Sequence, residues 1–363
     1  MSSFFGQHLR LSLFGQSHGE AIGVTMDGFP AGMVIDMARV KREMARRAPG
    51  QSDLTTPRKE PDEPEVLSGV LDGRTTGQPI CAIIRNTNTR SRDYGSGVDL
   101  LRPGHADYTG HVRYFGFEDW RGGGHFSGRL TAPIVFAGAL CSQWLAEQGI
   151  DIACHIQQLG AVRDRSFLDY PPDADTAHLR QMALPVLTAG LDAEMEAEVL
   201  RARAAQDSVG GIIECRVTGL PAGLGAPFFD SVESLLSHLM FSIPAVKGVA
   251  FGKGFGFAEL PGSAANDAFR MEAGRIVTET NHSGGVQGGI TNGMPVIFRC
   301  VIRATPSIAQ PQRTVSLQKG ENAEVSIRGR HDPCILPRAV PVVEAMTAIG
   351  LMELWKERQA CVK

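Results

Sequence analysis

Two segments of this 363-residue chain repeat one order of signals about 200 residues apart. In the first, IGVTMDGFPAGMVID leads into MARVKREMARRAP; in the second, IIECRVTGLPAGLGAPFFD leads into SVESLLSHLMFSIP. Each reads as a strand, a Gly-x-Pro-Ala-Gly turn, an aspartate N-cap (Asp36, Asp230) and a helix ended by Pro49 or Pro244. The echo continues in the same order. TTGQPICAIIRNT matches TNGMPVIFRCVIRAT as a Gly-x-Pro opening a β-rich run. GHFSGRLTAPIVFAGALCSQWL matches RHDPCILPRAVPVVEAMTAIGLMELW as His, Arg, Pro and an apolar helix ending in Trp. Short motifs do recur by chance in glycine-rich chains, but the shared order favours an ancient duplication. It implies pseudo-repeat halves at about 1–150 and 207–360 within a single domain spanning 1–363.

The helices expected at about 131–147 and 339–357 are apolar on most faces, a pattern that belongs to buried helices. Helices inside and sheets outside make the fold class α+β, one unit with a shared core. The stretch 190–206, GLDAEMEAEVLRARAAQ, has the Glu-to-Arg spacing of a surface helix. Residues 161–189, rich in Asp and Pro, read as a surface excursion.

Composition narrows the function. Thirty-six basic against thirty-nine acidic residues give a net charge of −3, which disfavours general attraction to nucleic acid or to a membrane surface. No leader pattern and no run of about 18 apolar residues is visible, so a cytoplasmic location is expected. The seven cysteines lack C-x-x-C spacing and read as reduced, mostly buried thiols. The 42 glycines, roughly 12% against an ordinary share of about 7%, cluster beside His, Arg and Ser. That placement points to close backbone approach to ligands.

Four stretches carry candidate chemistry. FGQSHGEAIG places His18 among small and polar residues at a strand end; a lone histidine is more often structural than catalytic. RPGHADYTGHVRYFGFEDWRGGGHFSGR (102–129) places His105 in a Pro-Gly turn. TNHSGGVQGGITNG has two Gly pairs able to present backbone N–H groups to an anion, yet it is neither a P-loop nor a dinucleotide fingerprint. RATPSI with GRHDPCILPRAV gathers Arg303, Ser307, Arg330, His331, Asp332 and Arg338. No metal-ligand spacing is present, and the arginines beside the histidines would repel a cation. Guanidinium forks from Arg46, Arg47, Arg102, Arg129, Arg330 and Arg338 suit phosphate and carboxylate oxygens. So many make sense if a polyanionic substrate lies beside a phosphorylated cofactor, with histidines to move protons.

Taken together, GQSHGEAIG, DGFPAG, RRAPGQS, RPGHADYTG, RGGG, DSVGG, TNHSGG with GGITNG, TPSI, and GRHDPC with RAVPVVEAM resemble the chorismate synthase family in order and over nearly the whole chain. The resemblance implies a β-α-β sandwich, a homotetramer and reduced FMN, with NADPH involved only if the protein reduces its own flavin. It implies the last shikimate-pathway step, a 1,4-anti elimination of phosphate from 5-enolpyruvylshikimate 3-phosphate. Carried over by position, His18 is the acid near the departing phosphate, His105 sets the protonation of reduced flavin, and Asp332 assists proton transfer at its N5. Arg47, Arg102, Arg129 and Arg338 hold the substrate anions. Flavin contacts fall to His125, Phe126, Ser127, Pro244, Ala245, Gly288, Arg303, Ala304, Thr305, Pro306, Ser307 and Arg330. The chain departs from the usual family pattern where His125 and Phe126 replace Arg-Ser, where Arg303-Ala304 replaces Lys-Pro, and at Asp53, where an arginine is common; Arg46 or Arg58 could substitute. A flavin- or phosphometabolite-binding module without turnover is the competing reading, and a nucleic-acid binder is disfavoured by charge and by 7% aromatic content.

Overall fold

The computed structural model describes residues 3–50, 60, 62–87, 99–171, 174–327 and 332–361. Its framework is a pair of five-stranded sheets with helices between them. The first sheet comprises β1 (Phe4–Phe5), β2 (Arg10–Gly15), β3 (Ala21–Asp27), β4 (Pro64–Ser68) and β5 (Ile80–Arg85), in the order β1-β2-β3-β5-β4. The second comprises β6 (Asp151–Leu159), β7 (Val162–Arg163), β8 (Gly211–Thr218), β9 (Val246–Phe251) and β10 (Val296–Ile302), in the order β9-β10-β8-β6-β7. Neighbouring strands in both sheets pair antiparallel.

The helices are α1 (Met37–Arg47), α2 (Asp107–Arg113), α3 (Thr131–Glu147), α4 (Leu191–Ala204), α5 (Val232–Phe241) and α6 (Leu336–Cys361). Helix α3 packs on β3 and β5 of the first sheet, α6 packs on β6 and β8 of the second, and the two helices lie against each other. Thirteen residues of α3 and seventeen of α6 are buried, because each helix has a sheet on one side and a helix on the other. Gly138 permits their close approach: a Cβ there would overlap the backbone and side chain of Ala345. The expected α+β layering is therefore present, with α6 running three residues earlier and four later than the pattern suggested.

Caps explain the helix starts. Asp36 accepts from Arg39 N at the head of α1, as its sequence context indicates. Asp230 does not cap α5; it ends a short 3₁₀ turn, and Ser231 takes the capping role by accepting from Ser234 N. Serine and aspartate are near-equal N-caps, so sequence alone could not separate adjacent candidates. At the other end of α6, buried Glu353 accepts hydrogen bonds from the backbone N–H groups of Gln7, His8 and Leu9 at 2.6–3.1 Å. One carboxylate thereby ties the turn between β1 and β2 to the helix layer.

The stretch 161–189 is more than a surface excursion. Phe167, Leu179 and Leu187 form a small second core with Ala153 and Ile297 on the outer side of the second sheet. Beneath it, fully buried His155 has Glu214 Oε2 at 3.0 Å from Nε2 and Asp164 Oδ2 at 3.4 Å from Nδ1. Glu214 also accepts from Ser166 Oγ and Phe167 N, each at 2.6 Å. Burial alone would discharge the imidazole, but the two carboxylates outweigh it and raise its pKa above the usual value. Asp164 is correspondingly drawn down to about 2, against its own desolvation, by His155, Thr188 and the Leu187 N–H.

A histidine with a raised folded pKa contributes stability that is complete below its unfolded value, about 6.5, and is lost as pH rises through the folded one. Urea unfolding midpoints should therefore fall as pH rises above about 6.5 more steeply in the native chain than in His155→Gln. Parallel profiles for the two proteins over that window would show that His155 is not held charged.

Candidate active site

A cavity of about 1150 Å³ opens where the N-terminal ends of α3 and α6 meet. It draws its walls from segments far apart in sequence: the turn after β2, the loop 100–107, the run 120–131, the corner 241–247, the loop 303–307, and the entry to α6. The positive dipole ends of both helices therefore border one space, which favours anions.

His18 stands in the turn between β2 and β3 and is 9% exposed. Ser17 holds that turn: its N–H donates to Gly124 O at 3.1 Å, and its Oγ reaches Arg121 O and Gly122 O at 3.3 Å. The Ser17 Oγ is also 3.1 Å from His18 Nδ1. Gly122, Gly123 and Gly124 have φ values of 60°, 90° and 52°, in the left-handed region that glycine alone enters freely. The triplet threads between the two key imidazoles. A Cβ on Gly122 would intrude on the His18 ring, one on Gly123 would lie 3.1 Å from His105 Cε1, and one on Gly124 would clash with Asp119 O.

His105 is fixed from its own turn. Its Nδ1 is 2.8 Å from Asp107 Oδ1, and Asp107 in turn receives Arg102 through N, Nε and Nη2 at 2.6–2.9 Å. Burial opposes ionisation of Asp107, yet the hydrogen bonds from Arg102 and His105 hold its carboxyl far below the ordinary range. Arg303 leans over the same turn and donates to Gly104 O at 3.1 Å.

The arginines of the opposite wall are buttressed. Arg47 donates through Nε to Thr131 Oγ1, through Nη1 to Asp62 Oδ2 and through Nη2 to Gly128 O, at 3.0, 2.7 and 2.7 Å. Arg129 donates to the other oxygen of Asp62 and to Asn86 Oδ1, the latter at 3.1 Å. Burial, aided by the nearby Arg338 and Arg129 charges and opposed by Asp62, lowers Arg47 to about 10, still protonated near neutrality. Asp62 stays ionised despite its burial because both guanidinium groups are against it. Arg338, on the first turn of α6, donates to Arg47 O at 3.0 Å and to Asp332 Oδ2 at 2.5 Å.

The cavity lining thus brings together His18, Arg47, Arg102, His105, His125, Phe126, Ser127, Arg129, Pro244, Ala245, Arg303, Thr305, Pro306, Ser307, Asp332 and Arg338. Ala245 has φ 76°, an uncommon value for a residue with a Cβ that marks strained backbone at the wall. Two expected contacts are not in the lining. Gly288 sits in the tight turn between the short strands Val286–Gln287 and Ile290–Thr291, which pairs away from the cavity, and Ala304 is passed over between lining residues Arg303 and Thr305. Arg46, a candidate to stand in for the family arginine at Asp53, is not in the lining; its guanidinium pairs with Glu43 and Glu344 at 2.6 and 2.5 Å. Arg330, His331, Asp53 and Arg58 lie outside the described residues. Sequence reasoning missed Asp62, Glu60, Asn86 and Asp107. Only Asp107 left a signal, two residues after His105 in the quoted turn.

Comparison with known proteins agrees with this geometry. The chorismate synthase family model matches residues 9–355. Chorismate synthase of Thermococcus kodakarensis is 44% identical over 98% of this chain and 98% of its own length. That of Lachnospira eligens is 46% identical over 97% and 94%. A crystal structure of chorismate synthase superposes with a TM-score of 0.77, at 28% identity over 98% of this chain and 93% of that one. The chain belongs to the chorismate synthase family. It is accordingly a lyase of the last step of the shikimate pathway.

The glycine triplet gives this site its most direct test. Gly122→Ala would force a side chain onto the His18 ring at a backbone angle costing about 1–2 kcal/mol for an L-residue. Turnover should fall on the order of tenfold or more while far-UV circular dichroism is unchanged; native turnover would remove Gly122 as the spacer of His18.

Proposed function

We propose that this cavity converts 5-enolpyruvylshikimate 3-phosphate to chorismate and phosphate by 1,4-anti elimination in the presence of reduced FMN. The observation that carries the reading is the convergence of His18 and His105, on either side of one glycine triplet, upon a space ringed by Arg102, Arg129, Arg303 and Arg338. The substrate has a phosphate and two carboxylates, and the cofactor adds a further phosphate, so a local excess of cations in a chain of net charge −3 matches the ligands.

The residues present fit a flavin. The cavity exceeds the usual range of about 300–1,000 Å³ for a single small ligand, leaving room for two. Thr305 Oγ1 in its wall is buried without a hydrogen-bond partner among the described residues, an unmet need that a ligand atom can satisfy. Arg303, Thr305 and Ser307 would hold polar groups of the cofactor, while Phe126, Pro244 and Ala245 would meet its apolar surface. When bound, the reduced cofactor supplies electron density to the allylic system as phosphate leaves.

The protein's own residues bind, orient and manage protons. Arg129 and Arg338 clamp carboxylate and phosphate oxygens, and their bonds to Asp62, Asn86 and Asp332 keep the forks oriented before substrate arrives. His18 gives a proton to the departing phosphate oxygen. His105 handles a proton at the ring edge left open by Gly123, and Asp332 is held by Arg338 for the ring hydrogen that must leave. We read the chain as a cytoplasmic homotetramer; the exposed side chains of Phe115, Phe117, Phe228, Phe229 and Phe255 support self-association.

Purified protein mixed anaerobically with FMN, dithionite and the phosphorylated substrate should release one phosphate per chorismate formed. Flavin binding without phosphate release would instead make the scaffold a binding module.

A further inference from the structure

We propose that Asp107 is the positioning residue of this site: its carboxylate selects the Nδ1–H tautomer of His105 and leaves Nε2 as the ring nitrogen available to the cavity. The claim about the tautomer stands on geometry; only its consequence for turnover rests on the function proposed above.

The donor count leads to one assignment. Asp107 Oδ2 receives both the backbone N–H of Arg102 at 2.9 Å and Arg102 Nε at 2.8 Å. Oδ1 receives Arg102 Nη2 at 2.6 Å and faces His105 Nδ1 at 2.8 Å. An ionised carboxylate only accepts, so the ring nitrogen beside it must carry the proton. Arg102 Nη2 also lies 3.1 Å from His105 Nδ1. That contact cannot decide the tautomer the other way without turning the 2.8 Å approach to Asp107 into an acceptor–acceptor repulsion. Asp107 cannot evade the repulsion by protonating, because Arg102 keeps it ionised. Three contacts from one arginine also prevent the carboxylate from swinging away.

The opposite edge of the ring is open for a structural reason. Gly123 has no side chain, and a Cβ there would lie 3.1 Å from Cε1 and 3.4 Å from Nε2. Asp107 and Gly123 therefore act on opposite edges of one imidazole: the first supplies a fixed acceptor, the second withholds an obstruction. A neutral ring held this way offers an acceptor lone pair to the cavity, and a protonated ring offers an N–H from the same atom. Arg102 acts on His105 through Asp107, which explains why a guanidinium reading as a substrate clamp spends Nε and Nη2 on a neighbour, with the backbone N–H of the same residue beside them.

The test is ¹⁵N NMR of the full-length protein labelled at the histidine ring nitrogens, at pH 8.5, where ordinary imidazoles are neutral. The His105 signals are assigned by their loss in His105→Gln. The native protein should show the Nδ1–H pattern. Asp107→Ala should convert it to Nε2–H and lower kcat on the order of a hundredfold, while Asp107→Asn, which retains an acceptor oxygen, should keep Nδ1–H and recover part of kcat. An Nε2–H ring in the native protein overturns the proposal even if no variant folds. So does a tautomer unchanged in Asp107→Ala, since any lost activity would then run through Arg102 and appear in KM. A tautomer switch with undiminished kcat upholds the positioning and overturns instead the role given to His105.

Discussion

The contact between α3 and α6 governs the rest of the molecule. Neither helix has a polar face to turn to water, so each requires a sheet, and two helices sharing one seam require two sheets on opposite sides. Gly138 lets the seam close against Ala345, where a Cβ would not fit. Because both helices begin beside the same cavity, their positive dipole ends border it, and the chain entering each helix comes from the same region of space. Arg129 and Asp332 sit just before the two starts and Arg338 on the first turn of α6. The packing that stabilises the fold thus also creates an anion-seeking cavity.

Gathering arginines in so dry a place brings repulsion, and the structure meets it with carboxylates set behind the guanidinium groups. Asp62 lies between Arg47 and Arg129, Asp107 holds Arg102, and Asp332 holds Arg338. Each acid takes part of the fork and leaves the remainder for a ligand. Removing one partner of such a pair strands a buried charge, a loss of roughly 3–5 kcal/mol. The acids are therefore as necessary to the site as the bases they orient. The same rule operates outside the cavity, where Asp164 and Glu214 hold His155 beneath a second small core, and where Glu344 and Glu43 absorb Arg46.

Periodic and punctuated features were the legible part of the sequence. Apolar runs located α3 and α6 to within a few residues, and the Gly-x-Pro-Ala-Gly turns located strand-to-helix corners, since these depend on local patterns of side chains. Cation positions followed from motif order. The carboxylate partners were not legible: Asp62 lies in the stretch Pro-Asp-Glu-Pro, with no period, and meets Arg47 and Arg129 only after three distant segments fold together. Residues 161–189 looked like surface because Asp and Pro dominate them. Their buried function depends on Phe167, Leu179 and Leu187, too widely spaced to form a recognisable helix or strand face. Gly288 is absent from the cavity lining of the chain, and its glycine pair looks in sequence like any other, so the pattern alone could not say which pair lies at the cavity.

The glycine triplet shows why imidazole and guanidinium needed flexible backbone beside them. In the reaction proposed above, two rings that act on one ligand pair must approach from different segments without touching each other. A spacer with side chains would fill the volume the ligands require, and water alone would leave the rings mobile. Backbone at positive φ solves both demands, because it is rigid once hydrogen-bonded yet presents almost no bulk. Gly124 O fixes the His18 turn through Ser17 N, while Gly123 leaves the far edge of His105 bare. With Asp107 at the near edge, the proposed tautomer leaves Nε2 as the ring nitrogen toward the cavity. On the function proposed above, proton handling in this cavity is set by backbone conformation and by an acid outside the reacting pair, as much as by the histidines themselves.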